Sequence, residues 1–103
     1  MKRVRITTHP GEILLHECLK PLKMSARALA RELDIPANRV TEIIAGERSV
    51  TADTALRLSR YFGTSAEMWL NLQRNHDLSK AMAKNQSVYA KIKPRKLEGT
   101  KAA

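Results

Sequence analysis

Residues 25–49 read SARALARELDIPANRVTEIIAGERS, and this stretch decides the fold. Ser25 is a good N-cap for a helix over residues 26–33, whose inward stripe is Leu29, Ala30 and Leu33. Asp34, Ile35 and Pro36 make a short turn, and a second helix follows over roughly residues 37–45. Pro36 is tolerated at its start because the first amides of a helix need no intrahelical partner. Val40, Ile43 and Ile44 face inward, and Gly46 supplies a left-handed stop. Two short helices joined by a three- or four-residue turn make a helix-turn-helix. That geometry needs a small residue where the helices cross, here Ala30, and an apolar residue in the turn, here Ile35. Ala37, Asn38, Arg39, Thr41 and Glu42 are left on the solvent face, a set suited to a DNA major groove. Asn pairs bidentately with adenine, Arg with guanine or phosphate, Glu accepts from cytosine, and Ala or Thr touches a thymine methyl. Arg27, near the start of the first of the two helices, and Arg48 and Ser49 after the second, are placed for phosphates. On spacing alone, an ordinary helical hairpin with a solvated Arg39–Glu42 pair remains the competing reading.

Three further helices flank this pair. The first opens at His9-Pro10-Gly11-Glu12, with Pro at the first helical position and an acid in the first turn. Leu14, Cys18, Leu19 and Leu22 recur along it, and Pro21 limits its continuation. Thr51 caps a fourth helix to about Phe62, with Ala55, Leu56, Leu58 and Phe62 apolar and Gly63 ending it. Thr64-Ser65-Ala66-Glu67 fits a capping box for a fifth helix to about Met82, carrying Met68, Trp69, Leu70, Leu72 and Leu78. Beyond Ala83, Val88, Ala90 and Ile92 alternate as a short strand would, while Tyr89 and Ile92 suit a longer helix; Pro94 ends either, and disorder is expected for the last nine residues.

Length and composition bound the rest. The chain has 103 residues, 43% hydrophobic but only 4% aromatic, so one aliphatic core is expected. No apolar run approaches the ~20 residues of a membrane span. The start is basic but lacks the apolar stretch of a signal peptide. One cysteine, Cys18, cannot form an intrachain disulfide, which points to a cytoplasmic protein. The net charge of +9 is concentrated in the two ends, the middle being nearly neutral. Residues 1–8 hold Lys2, Arg3 and Arg5 and no acid, and residues 84–103 hold six bases against Glu98. The organisation expected is a basic N-terminal arm (1–8), a helix-turn-helix and dimerisation domain (9–83), and a basic, partly disordered tail (84–103). Charge of this kind favours anionic partners without identifying one.

No enzyme is expected: the sequence has no GxSxG, no phosphate-binding glycine loop and no paired carboxylates beside a base. No metal or other cofactor is expected either. His16 and Cys18 are two apart on a helix and point to different faces, and no second Cys completes a zinc spacing with His9 or His76.

The sequence resembles the HigA antitoxins, within the Xre or lambda-repressor-like helix-turn-helix proteins, some of them VapI-type. The resemblance rests on His9-Pro10-Gly11-Glu12-Ile13-Leu14, Pro21-Leu22, Leu29-Ala30, Gly46-Glu47-Arg48-Ser49-Val50-Thr51, Ala55-Leu56-Arg57-Leu58 and Phe62 through Gln73. It covers roughly residues 9–80. It implies an all-α, five-helix lambda-repressor-like domain that dimerises and binds a palindromic operator in its own promoter as a repressor. It also implies pairing with a HigB toxin, a RelE-like mRNA endonuclease, for which the basic tail is one candidate contact. Residue by residue, it makes Ser25 and Arg27 phosphate contacts, residues 37–42 the base-reading surface, and Arg48–Ser49 a backbone clamp. It places Trp69, Leu70, Leu72 and Gln73 at or near the dimer interface. Asp34 and Lys23 stand where the family commonly has glycines; Asp tolerates left-handed dihedrals, so the turn is expected to survive. Pro36 replaces a usual Ser or Thr cap. Two alternatives stay open: a free-standing phage or plasmid-type repressor without a toxin, and a protein-interaction module that no longer meets DNA.

Overall fold

A computed structural model of the chain describes residues 4–96. Among the described residues there are five helices and no strand. Helix α1 spans residues 10–22, α2 Ala26–Leu33, α3 Ala37–Ile44, α4 Ala52–Phe62 and α5 Ala66–Ala90. Helices α2 and α3 form the helix-turn-helix, and α1, α4 and α5 pack around its inner face. The core is aliphatic apart from Trp69: Leu14, Leu19, Leu29, Ala30, Leu33, Val40, Ile43, Val50, Ala55 and Leu58 are all buried with it.

Helix α1 is not regular. Its middle, Leu14–Leu19, is wound as a π-helix, and the Lys20 amide donates to the Leu15 carbonyl. In a regular α-helix, residues five apart point about 140° away from each other. The wider winding instead brings Leu14 and Leu19 to one face, and both are buried. Leu22, expected in the same stripe, stays exposed, because the stripe follows this longer period. The helix ends at Lys23, which adopts the left-handed conformation with φ 53° and ψ 40°.

The helix-turn-helix follows the sequence closely. The Ser25 hydroxyl accepts from the Ala28 amide and starts α2. Asp34 takes up a left-handed conformation with φ 57° and ψ 49°. The Ile35 amide then donates back to the Ala30 carbonyl, a Schellman closure that turns the chain into α3. Ala30, 2% exposed, lets α2 and α3 approach. Gly11 plays the same part where α1 passes the end of α3. A Cβ there would overlap the Ile43 carbonyl oxygen and lie 2.7 Å from the carbonyl carbon.

Three expectations need correction in the second half. The cap of α5 is Ser65, not Thr64: the Ser65 hydroxyl accepts from the Met68 amide at 3.0 Å. Thr64 is used by the core, its hydroxyl accepting the indole N–H of the buried Trp69 at 2.8 Å. Helix α5 also runs past Met82 to Ala90, so Val88 and Ala90 are helical and form no strand. The reason is local: no Gly or Pro occurs between Thr64 and Lys93. Asn85, with φ −126° and ψ 24°, kinks it without ending it. Finally, Leu56 and Leu78, read as part of the apolar stripes, are about 60% exposed.

Residues 4–9 form no regular element, and Thr7 is held against α5: its amide donates to the Ser79 hydroxyl and its carbonyl is 2.7 Å from His76 Nδ1. The expected arm residues Lys2 and Arg3, and tail residues 97–103, lie outside the described residues. Among the described residues, no helix is long and apolar enough to cross a membrane.

Candidate nucleic-acid interface

The surface of α3 is set by its underside. Val40 and Ile43 are buried, and Ala37 and Ile44 pack partly against the same core. The opposite face therefore points to solvent. Asn38 and Thr41 are exposed, and the Thr41 hydroxyl donates to the Asn38 carbonyl. Arg39 and Glu42 are half-buried, each held by an oppositely charged partner from outside α3. Ser25 and Arg27 are exposed at the start of α2, and Arg48 and Ser49 are exposed in the loop after α3. Every residue expected to meet DNA thus reaches the surface at least in part, Ala37, Arg39 and Glu42 being half-buried.

The loop from α3 to α4 is held at both ends. Gly46, with φ 78°, lets the Glu47 amide return to the Glu42 carbonyl at 2.8 Å. Val50 is buried, and its amide donates to the Gln73 side chain at 2.8 Å. Between these anchors, Arg48 donates through Nε to Glu42 Oε1 at 2.7 Å. The loop's basic group is thereby fixed beside the exposed face of α3.

The pairing of Arg39 and Glu42 with each other, offered by their i, i+3 spacing, does not form. Arg39 Nη1 donates instead to Asp53 Oδ2 at 2.9 Å, and Arg57 Nε donates to the same oxygen at 2.9 Å. Arg57 continues the chain of contacts: its Nη1 donates to the Leu33 carbonyl at 2.7 Å and to the Asp34 carbonyl at 3.3 Å. A guanidinium at the C-terminal end of α2 satisfies carbonyls that the helix leaves free and matches its dipole. The two arginines, led by the Arg57 hydrogen bond, hold the Asp53 carboxyl below the usual carboxylate range. None of this network was read in the sequence; its link from Asp53 to Arg39 spans fourteen residues.

Trp69 is fully enclosed within its own chain, and Gln73 is buried with its amide oxygen on Val50 and its amide nitrogen on Asp77. Leu70 and Leu72 are half-buried against the core. A further cluster went unread in the sequence. His9 caps α1 by accepting the Gly11 amide at Nδ1, and its ring meets His76 edge to face at 4.9 Å. Burial, then His76, pushes the His9 pKa below its ordinary value. Burial, then Glu17, pushes the pKa of the half-buried Cys18 thiol up, which disfavours its thiolate.

This arrangement, two short helices at a fixed crossing with the second one's polar face outward, defines a helix-turn-helix protein. The helix-turn-helix family HTH_3 matches residues 15–69. Virulence-associated protein I of Dichelobacter nodosus is 52% identical over 80 residues, covering 78% of this chain and 74% of that one. The antitoxin HigA of Pseudomonas aeruginosa, solved with the higBA promoter, superposes with a TM-score of 0.82 at 44% identity, covering 87% and 98% of the two chains. An addiction module antidote protein of a HigA family from Coxiella burnetii superposes at 0.81 with 49% identity, covering 88% and 100%. The chain belongs to the HigA antitoxins of the Xre-like helix-turn-helix family.

Proposed function

We propose that this protein is an antitoxin that, as a homodimer, binds a palindromic operator in its own promoter and represses its operon, and that neutralises a HigB-like, RelE-type toxin. The observation that carries the DNA-binding half is the outward face of α3. Asn38 and Thr41 are free at the surface while Val40 and Ile43 lock the helix from beneath. The superposition on an antitoxin solved with promoter DNA supports the same use of the face. Asn38, Arg39, Thr41 and Glu42 read base edges, with Ala37 beside them. Ser25, Arg27, Arg48 and Ser49 hold phosphates. Two copies place their α3 helices in successive major grooves, ~34–36 Å apart. The twofold contact lies at or near Trp69, Leu70, Leu72 and Gln73, and the uncovered Leu78 and Met82 further along α5 extend it. The protein acts in the cytoplasm, by binding and not by catalysis, and needs no cofactor.

Gel-shift titration of the protein on its own promoter tests DNA binding. Arg39→Ala weakens operator binding and relaxes specificity, whereas Arg27→Ala weakens binding to operator and scrambled duplex alike. Equal losses on both duplexes for Arg39→Ala contradict base reading. Co-expression with the neighbouring reading frame followed by co-purification tests the toxin half. Absence of a co-purifying partner leaves a free-standing repressor. Removal of residues 84–103 with unchanged toxin capture discards the tail as the toxin contact.

A further inference from the structure

We infer that Asp53 is a positioning residue for base reading: its carboxylate holds Arg39 by one edge, so that the guanidinium's remaining donors meet a guanine and not the phosphate backbone. The inference rests on the proposed DNA-binding function and goes beyond it by naming a residue outside α3 and one base of the operator.

The geometry is a relay. The turn carbonyls of Leu33 and Asp34 hold Arg57, Arg57 holds Asp53, and Asp53 holds Arg39. A guanidinium carries five donors in a rigid plane. Asp53 takes one of them, on Nη1. The remaining donors suffice for the two parallel bonds that guanine accepts at O6 and N7 in the major groove. An arginine without such a brace swings on four rotatable bonds and finds the nearest phosphate as readily as a base. Asp53 opposes that outcome twice. It fixes the side chain, and it sets a negative charge where an approaching phosphate oxygen is repelled. Its carboxyl is itself exposed, at 58% of the side chain, so an approaching phosphate meets it at the surface. Asp53 also stands in the first turn of α4, where the helix dipole favours an acid, so its presence costs the fold nothing.

Specificity is the difference between operator and non-operator affinity, so loss of Asp53 moves the two in opposite directions. Asp53→Ala is expected to weaken binding to the promoter duplex, strengthen binding to a scrambled duplex, and cut the ratio between them by tenfold or more. Because Arg39 then reaches a phosphate, the salt dependence on scrambled duplex steepens by about one counterion. Asp53→Asn, which keeps the shape and an accepting oxygen but not the charge, falls between wild type and alanine. A panel of promoter duplexes with each half-site position substituted in turn locates the base. The wild type loses most at one G·C pair, and Asp53→Ala is indifferent there while keeping its preferences elsewhere. Thermal melts of each variant accompany the titrations. If wild type discriminates and both variants keep its ratio and its preference at that pair, the inference is wrong. Equal weakening on both duplexes also overturns it, since that is the signature of a disturbed turn acting through Arg57. If wild type itself fails to discriminate, the DNA-binding function falls and not merely the role of Asp53.

Discussion

Gly11 offers a test in which the sign of the effect decides. The residue lies in the first turn of α1, where alanine would ordinarily stabilise a helix over glycine by about 0.8–1 kcal/mol. Here the added Cβ would overlap the Ile43 carbonyl oxygen and sit 2.7 Å from the Ile43 carbonyl carbon and 3.0 Å from Ile44 Cα. Ordinary contact begins at 3.4 Å, so α1 and the end of α3 must part by at least the missing distance. Both sides of the clash are backbone, and no rotamer relieves it. Overpacking costs about 1–3 kcal/mol, and this site belongs at the upper end. Set against the gain in helix propensity, Gly11→Ala is expected to destabilise the protein by about 2 kcal/mol, or roughly 8–16 °C in melting temperature for a domain of this size. The same Ile43 carbonyl accepts the Gly46 amide, so the loop bearing Arg48 shifts with it. Urea unfolding followed by far-UV circular dichroism measures the stability, and promoter titration reads the loop. A variant as stable as wild type, or more stable, refutes the close packing of α1 on α3.

Two further outcomes follow from the caps. His9 must be unprotonated at Nδ1 to accept the Gly11 amide, and its environment keeps it so. Burial and the neighbouring His76 and Lys80 lower its pKa, against the opposing pull of Asp77 and Glu12. The unfolded chain therefore binds this proton first, from pH 6.5 downward. The contribution of His9 is complete above that pH and is lost as pH falls towards the folded-state pKa, below which the loss levels off. Denaturant unfolding from about pH 7.5 to about pH 5.5 should show this decline. His9→Asn, which still caps but does not titrate there, should flatten it; an unchanged slope contradicts the role. Lys23 is left-handed without being glycine. Lys23→Gly removes a strain of about 1–2 kcal/mol, against about 0.5–1 kcal/mol of lost chain entropy. A net stabilisation is expected in the same unfolding assay, and a destabilised variant refutes it.

The helix-turn-helix was legible because its signals are local. The Ser25 cap, the inward Leu29–Ala30–Leu33 stripe and the Gly46 stop lie within a few residues of what they control. The left-handed turn at Asp34 was expected from the resemblance, where a glycine is common, and from the tolerance of Asp for that conformation. What escaped the sequence was settled by how side chains pack once the elements have formed. Thr64 looked like a cap, but Trp69, once buried, needed an acceptor and took it, leaving the cap to Ser65. The spacing of Leu14 and Leu19 fits one face only if the helix is widened, which an α-helical reading does not consider. The surface residues of α3 were legible as a face, because burial of Val40 and Ile43 fixes it. Their electrostatic setting was not: Asp53 is fourteen residues from Arg39 in sequence. The internal bonds of Gln73 were not legible either: its amide oxygen accepts from Val50, twenty-three residues away in sequence.

The groove-reading role proposed for the outward face of α3 is addressed most directly by one binding experiment. Fluorescence anisotropy is recorded for the wild-type protein and for Asn38→Ala on labelled duplex from its own promoter and on a scrambled duplex at physiological salt. Wild type should bind the promoter at least about a thousandfold more tightly. Asn38→Ala, exposed and free of structural duty, should lose about 1–3 kcal/mol on the promoter and nothing on the scrambled duplex. Equal affinity of wild type for both duplexes, or an Asn38→Ala protein indistinguishable from it, would show that this face does not read DNA.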